Sequence, residues 1–483
     1  MKKTTLLLIS LLFTALVHSQ KWVAQTFAIQ TTVDVVYGTA PDFAGNLRTL
    51  RMDITVPTDD TPPPCGRPLL LAIHGGAFLA GDKSEGTLQA WMKDFAKRGY
   101  TTASVNYRLG MFQTNAEVHC NVTQLFNTPW DCSNMADTAE WYRGAYRGMQ
   151  DIRGAIRYFV NNGATYNIDP QNVFLVGESA GGFIALNAAF LDTLTEKPAA
   201  AYTLADVLPP NKIYEPACVQ QFKWDTSIAS MKLQRPDLGP IEGTLNPSGT
   251  PYSIRGAGNF YGGTLGDLFS ENTYSVPPVL YMFHQPNDLI VPFKQGRVLA
   301  GLSECFMGLG CASIINRPIV NGSNGMKTQI DQLKSIGKQV PEYVFDKTNN
   351  MADCVAQGFN PALTGHAIDN YALRTTTMAQ LFASRMAACI SVTRNPQMPL
   401  LQMTVYPNPA QEMFTVGLDA PTAGTYHCMV RNWTGEIVTN RHVEWSSGQQ
   451  SFEIKLPAPA GVYYLTICSE RGASGAMKIV KIM

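Results

Sequence analysis

The run Gly177-Glu178-Ser179-Ala180-Gly181-Gly182 has the residue types of a nucleophile held at a turn. It leaves the apolar run "NVFLVG" (172–177) and enters the apolar stretch "FIALNAAF". Glycine is a poor former of both helix and strand, so three glycines in six residues answer a backbone constraint rather than a propensity. G-x-S-x-G between a strand and a helix lets the chain turn sharply while the central serine takes a strained conformation, which lifts its hydroxyl above the sheet edge. The helix that starts there aims backbone N–H groups at the same point. An ordinary Gly-rich turn is the competing reading, and the strand–turn–helix context favours a nucleophile at Ser179.

A serine hydroxyl near neutrality needs a general base, and the oxyanion it creates needs donors. "IHGGAF" (73–78) follows another buried run and matches the HGGG-type loop whose amides act together with the amide after the nucleophile. The donor candidates are Gly75, Gly76 and Ala180; Ala77 stands where a third glycine would be, so which amides point inward stays open. His74 reads as support for this loop rather than as the base. For a serine at such an elbow, the acid and the base follow it in that order. Asp288 lies just past the buried run in "VLYMFHQPNDLIVPF", in a turn with Pro286 and Asn287. Asp267 is the runner-up, with no strand leading into it, and His284 reads as a strand-end packing residue. His18 sits in the N-terminal leader, His74 and His119 precede the serine, and His427 and His442 lie near the C-terminus, which leaves His366 as the base; Asp369 reads as a helix-surface residue. There is no CxxC or HExxH, so no metal site is expected.

The elements that must position these residues follow the same pattern. Residues 21–62 read as early antiparallel strands, and "LLLAIHGG", "YTTASVNYRLG", "NVFLVG", "VPPVLYMFH" and "PEYVFD" as buried strands. "GMQDIRGAIRYFVNNG" is an amphipathic helix closed by Asn-Gly. Strands alternating with helices predict an α/β fold with a mostly parallel sheet flanked by helices. Residues 111–147 and 193–275 break the rhythm and read as cap-like insertions outside the sheet. After about residue 395 short strands with Gly and Pro turns form a small all-β, sandwich-like domain of roughly 80 residues.

Composition narrows the classes. Of 483 residues, 45% are hydrophobic and only 15% charged, which describes a core-rich globular chain. Lys+Arg and Asp+Glu both number 37, so the basic footprint of a nucleic-acid binder is missing. "MKKTTLLLISLLFTALVHSQ" reads as a signal peptide over 1–19, its apolar run being short for a membrane span. In an oxidising compartment ten cysteines favour disulfides, with Cys120–Cys132, Cys305–Cys311 and Cys428–Cys468 as the neighbouring candidates. The expected organisation is therefore signal peptide 1–19, main domain 20–395 and β domain 400–483.

With "IHGGAF", "VNYRLG" and "GESAGG" on the page, residues 30–390 resemble the α/β-hydrolase superfamily, specifically secreted carboxylesterases and lipase-like esterases. The resemblance implies ester hydrolysis through an acyl-enzyme without a cofactor. Ser179, His366 and Asp288 would then be nucleophile, base and acid, with Gly75, Gly76 and Ala180 around the oxyanion. The departure at Ala77 and the insertions leave the substrate open among small-molecule esters, acylated polysaccharide and polyesters. A serine peptidase of this fold, or an inactive binding or adhesion protein, are the competing functions. "VYPNPA" and the terminal "KIVKI" resemble the C-terminal sorting domain of Bacteroidetes type IX secretion substrates. That implies passage through the periplasm and outer membrane to the surface or the medium, with the secretion machinery as partner. An Ig-like carbohydrate- or surface-binding domain is the alternative.

Overall fold

The computed structural model describes residues 22–112, 136–206, 217–218, 234–271, 274, 276–301, 317–348, 364–389, 401, 403–420, 423–432, 436–469 and 474–482. The buried runs become the strands of one eight-stranded sheet: β1 (Ile29–Pro41), β2 (Leu47–Pro57), β3 (Arg67–Ile73), β4 (Thr101–Val105), β5 (Ile168–Glu178), β6 (Ile254–Phe260), β7 (Val279–His284) and β8 (Tyr343–Lys347). Their order is β1-β2-β4-β3-β5-β6-β7-β8. The first two strands run antiparallel to their neighbours, and every pairing from β4 to β8 is parallel. Parallel neighbours require crossovers, and helices supply most of them: α1 (Gly86–Lys97), α2 (Thr138–Asn161), α3 (Ala180–Phe190) and α4 (Ser323–Ser335); α5 (Tyr371–Ala383) follows β8.

Helices cover the sheet on both faces. Leu69, Leu71 and Ile73 of β3 pack with Met149, Ile152 and Ile156 of α2, Ile184 of α3 and Met326 of α4. Leu70 and Ala72 point the other way, toward Trp91 and Phe95 of α1 and Phe382 of α5. Burial on both faces is why β3 reads as an unbroken apolar run rather than an alternating one. This is the α/β-hydrolase fold. All its parallel strands end at one edge of the sheet, the edge reached by His74, Glu178, Phe260 and His284.

Two expected insertions need correction. The stretch 193–275 contains β6, which lies inside the sheet between β5 and β7. Its sequence, IRGAGNF, hides the strand because Gly256 and Gly258 stand where apolar side chains would mark it. They are small because α5 lies against them: a Cβ would come within 2.9 Å of Phe382 at Gly256 and 2.4 Å of Met378 Sδ at Gly258. The stretch 111–147 likewise contains the first turns of α2, capped by the Asp137 side chain accepting from Glu140 N–H. Buried Arg143 and Arg147 break the apolar period there, their guanidiniums donating to the carbonyls of Ala200, Tyr202, Pro236 and Gly110. Residues 1–21, 113–135, 207–216 and 219–233 lie outside the described residues, and the leader reading falls there.

The described residues form two compact units, Met1–Cys389 and Ile390–Met483. The second is all β. It has one antiparallel sheet of β9 (Met403–Tyr406), β10 (Met413–Ala420) and β13 (Gly448–Lys455), and another of β11 (Gly424–Asn432), β12 (Ile437–Trp445), β14 (Gly461–Ser469) and β15 (Ser474–Lys481). Phe414, Val416, Tyr426, Val430, Leu465 and Ile467 make up its core.

The cysteines also differ from expectation. Cys65 pairs with Cys389, 324 residues away, and closes the last residue of the first unit onto the segment before β3. Cys428 and Cys468 are not bonded. Cys428 faces Ile467 across the sheet and Cys468 faces His427, so the one-residue offset sends the two thiols to opposite faces. Cys120, Cys132, Cys305 and Cys311 fall outside the described residues.

Candidate active site

Ser179 sits between the end of β5 and the start of α3 with φ +51° and ψ −123°, a conformation an L-residue adopts only under constraint. The glycines around it allow a close approach of backbones. A Cβ at Gly177 would stand 2.1 Å from Gly181 O, and one at Gly181 would stand 2.1 Å from Ile73 O. The turn is tied down by Ser179 N–H donating to Phe260 O at 2.9 Å and Gly182 N–H donating to Ser179 O at 2.9 Å. Ala180 is the first residue of α3, so its N–H has no partner within the helix.

The 74–81 loop comes to the same place from β3. A Cβ on Gly75 would be 3.1 Å from Ser179 Cβ. Gly76, Ala77 and Phe78 all have positive φ, and Gly76 O accepts from Leu79 and Ala80 N–H, which closes the turn. The "VNYRLG" stretch braces this loop after β4 ends at Val105. Tyr107 donates its hydroxyl to His74 O and Gly75 O, both at 3.1 Å, and its ring stacks on His74 at 4.3 Å. Asn106 Nδ2 donates to Asp82 at 2.8 Å, and Arg108 pairs with buried Asp151 of α2 at 2.7 Å. Burial drives the His74 imidazole down to about 4, and its Nδ1 lies 2.8 Å from Gly75 O. His74 is thus a neutral, loop-bracing group.

The acid and base candidates meet past the ends of β7 and β8. His366 Nδ1 is 2.7 Å from Asp288 Oδ2. Asp288 Oδ1 accepts from Ile290 N–H at 2.8 Å and Val291 N–H at 3.0 Å. Burial works to raise the Asp288 carboxyl. The charge of His366 and the hydrogen bonds from His284 and His366 outweigh it, and the group sits below its ordinary value. An ionised acceptor on Nδ1 makes that nitrogen the donor, so the neutral imidazole of His366 carries its lone pair on Nε2. Asp267 instead accepts from Phe269 and Ser270 N–H and from Gln329, away from any histidine, and Asp369 pairs with Arg374 of α5.

Among the described residues no hydrogen bond joins Ser179 Oγ to His366; such bonds often tighten only with substrate in place. Their proximity runs through Tyr261, which follows β6. Its ring lies 4.5 Å from that of His366, and its hydroxyl donates to Glu178 Oε2 at 2.6 Å. Burial raises the Glu178 carboxyl to about 7, against the lowering effect of the Tyr261 bond. Tyr261 escaped the sequence reading because it follows the glycine-disguised strand. His284, read as packing, instead makes polar contacts on both ring nitrogens and approaches Asp288 Oδ2 at 3.2 Å.

The fold is thus an α/β-hydrolase fold, with a strained serine at the end of β5 and an Asp288–His366 pair past the ends of β7 and β8. Residues 52–122 and 140–212 match the BD-FAE family model, and residues 404–482 match the secretion system C-terminal sorting domain. Three curated relatives match parts of the chain. A probable isoprenylcysteine alpha-carbonyl methylesterase of Oryza sativa subsp. japonica is 30% identical over 159 residues, 33% of this chain and 28% of that protein. A neuroligin-like protein of Caenorhabditis elegans is 32% identical over 114 residues, 24% of this chain and 12% of that protein. Carboxylesterase 3B of Mus musculus is 28% identical over 131 residues, 27% of this chain and 18% of that protein. The chain therefore spans less than a third of the length of these relatives. Among solved structures, a truncated carbohydrate esterase from gut microbiota aligns over 75% of this chain and 97% of its own at 14% identity and TM-score 0.39. Esterase 2 of Thermogutta terrifontis, phosphorylated by paraoxon, aligns over 72% and 91% at 16% identity and TM-score 0.34. The first unit thus has the α/β-hydrolase fold and carries the BD-FAE match, and the C-terminal unit carries the match to the secretion sorting domain, which marks the chain for the cell surface or the medium.

Proposed function

We propose that the protein is a serine esterase that hydrolyses carboxylic esters through an acyl-enzyme. The observations that carry this reading are the 2.7 Å Asp288–His366 pair and the serine held at φ +51° in a strand–turn–helix elbow. Ser179 Oγ attacks the ester carbonyl carbon and gives its proton to His366 Nε2. Asp288, bonded to Nδ1–H, fixes the ring and stabilises the imidazolium. The carbonyl oxygen becomes an oxyanion that the amides of Gly75, Gly76 and Ala180 can meet. When the tetrahedral adduct collapses, the alcohol leaves with the proton from His366. Water, deprotonated by the same nitrogen, then attacks the acyl group and releases the carboxylic acid and Ser179. Matches to esterase relatives support the reaction class. Substrates range over small-molecule esters, acylated polysaccharide and polyesters, with the secretion machinery as partner for export. Turnover of a short-chain p-nitrophenyl ester by the purified full chain tests the reading: Ser179→Ala eliminates it, and a Ser179→Ala protein as active as the wild type contradicts it.

A further inference from the structure

His284 ends β7 with its ring wholly buried and both nitrogens in use. Nδ1 is 3.0 Å from Ser323 Oγ and 3.3 Å from the backbone N of Ser323, the first residue of α4. Nε2 is 3.1 Å from Val291 O and 3.2 Å from Asp288 Oδ2. A backbone N–H can only donate and a carbonyl can only accept. Nδ1 must therefore be the bare nitrogen and Nε2 must carry the hydrogen. Asn259 Nδ2 of β6, 3.2 Å from Ser323 Oγ, leaves the serine hydroxyl hydrogen free to point at Nδ1, which reinforces the same tautomer.

An ionised carboxylate offers about four lone-pair sites. Asp288 takes Ile290 N–H and Val291 N–H on Oδ1 and His366 Nδ1–H on Oδ2, and the His284 Nε2–H that bonds Val291 O also lies 3.2 Å from Oδ2, within reach of a shared bond. The backbone amides hold Oδ1. On the oxygen that meets His366, His284 is the second side chain in reach.

We propose that His284 is a positioning residue: as a neutral Nε2–H donor it holds Asp288 Oδ2 in the orientation that aligns His366 for proton transfer. This rests on the reading of Ser179, His366 and Asp288 as the reacting set. The competing role is mechanical, the ring anchoring the N-terminus of α4 through Ser323 or filling space against Phe293, whose ring meets it edge-on at 5.7 Å.

Three substitutions separate these roles. His284→Gln places an amide donor near the position of Nε2, His284→Asn reaches only toward Ser323, and His284→Leu keeps bulk without donors. The expected kcat of His284→Gln is within about threefold of wild type. Asn and Leu lose about tenfold or more, the order of one hydrogen bond to a charged group. KM stays within about twofold in all three, because the group acts through Asp288 and touches no substrate. Asn matching or exceeding Gln, or Leu matching wild type, overturns the proposal. Side-chain 15N–1H correlation spectra of the unaltered protein give a test that needs no variant to fold. His284 is expected as the Nε2–H tautomer and His366 as the Nδ1–H tautomer, and a protonated Nδ1 on His284 contradicts the account. If Ser179→Ala retains activity, the reaction reading fails, whatever the order of the His284 variants.

Discussion

The nucleophile side and the acid–base side of the proposed site are built by different physics. Ser179 is held by backbone: a strained φ, two glycines admitting backbone oxygens at 2.1 Å from where a Cβ would stand, and main-chain hydrogen bonds to Phe260 and Gly182. Asp288 and His366 are held by side chains and amides brought from β7, its following loop and the 364–366 loop, with Asn259 and Ser323 behind them. The first kind of support fails sterically when any side chain is added. The second fails electrostatically when a donor is removed. This difference sets how each substitution should behave.

The largest effect is expected at the nucleophile. Ser179→Ala removes one hydroxyl and adds no atoms, so the elbow stays intact while turnover falls by on the order of a millionfold. Circular dichroism and ester turnover on the same sample check both halves of that statement. Asp288→Asn keeps the shape of the acid–base side and removes its charge. The His366 tautomer is then no longer fixed, and kcat falls by about ten thousandfold. Asp267→Asn, by contrast, should change kcat by less than about threefold, since that side chain only caps a turn and meets Gln329. An order-of-magnitude loss there would move the acid away from β7.

Stability distinguishes the two sides next. Gly181→Ala forces a Cβ to within 2.1 Å of Ile73 O in a packed elbow, and a loss of about 3 kcal/mol in urea unfolding is expected. A loss under about 0.5 kcal/mol would mean the elbow is looser than described. Glu178 adds a pH dependence. Its carboxyl titrates near 7 when folded, against an ordinary 4.5, because burial penalises the charge. The folded state thus binds a proton that the unfolded chain has released, and stability falls as pH rises from about 4.5 to 7. Glu178→Gln abolishes that decline, so its stability relative to wild type should grow by on the order of 3 kcal/mol between pH 4 and pH 8. Parallel stability curves for the two proteins across that range would contradict the assignment.

What could be read from the sequence follows the same division. The elbow is local: six consecutive residues carry its glycines, its serine and the start of its helix, so the pattern was visible without a fold. Asp288 and His366 are 78 residues apart, and they were reached through chain order and the shortage of histidines. The support behind them was not readable. Asn259 lies in a strand whose glycines conceal it, and His284 looks like any residue at the end of an apolar run until Ser323 N–H is seen against its Nδ1. The Cys65–Cys389 bridge was missed for a related reason, because spacing arguments favour near neighbours and pleat alternation then separates Cys428 from Cys468. In the C-terminal unit, where every strand pairs antiparallel with a neighbour, turn residues and alternation were enough to read the class.

The smallest catalytic effect is expected from removing that unit. A chain ending at Gln397 should hydrolyse esters at the full chain's rate, since no residue of the acid–base side or the elbow lies beyond 389. In a type IX-secreting host its activity should stay in the periplasmic fraction. Equal activity in the medium without the unit would deny it a sorting role, and weakened binding to insoluble polysaccharide with export unchanged would favour a surface-binding role.

The central claim is that Ser179 becomes acylated with His366 as its base. A fluorophosphonate probe followed by peptide mass spectrometry tests it directly. The account predicts a single adduct on the peptide containing Ser179 in the wild-type protein, formed at least about a thousandfold more slowly in His366→Ala. Inactivation with the adduct on another residue, or labelling of Ser179 at an unchanged rate in His366→Ala, would contradict it.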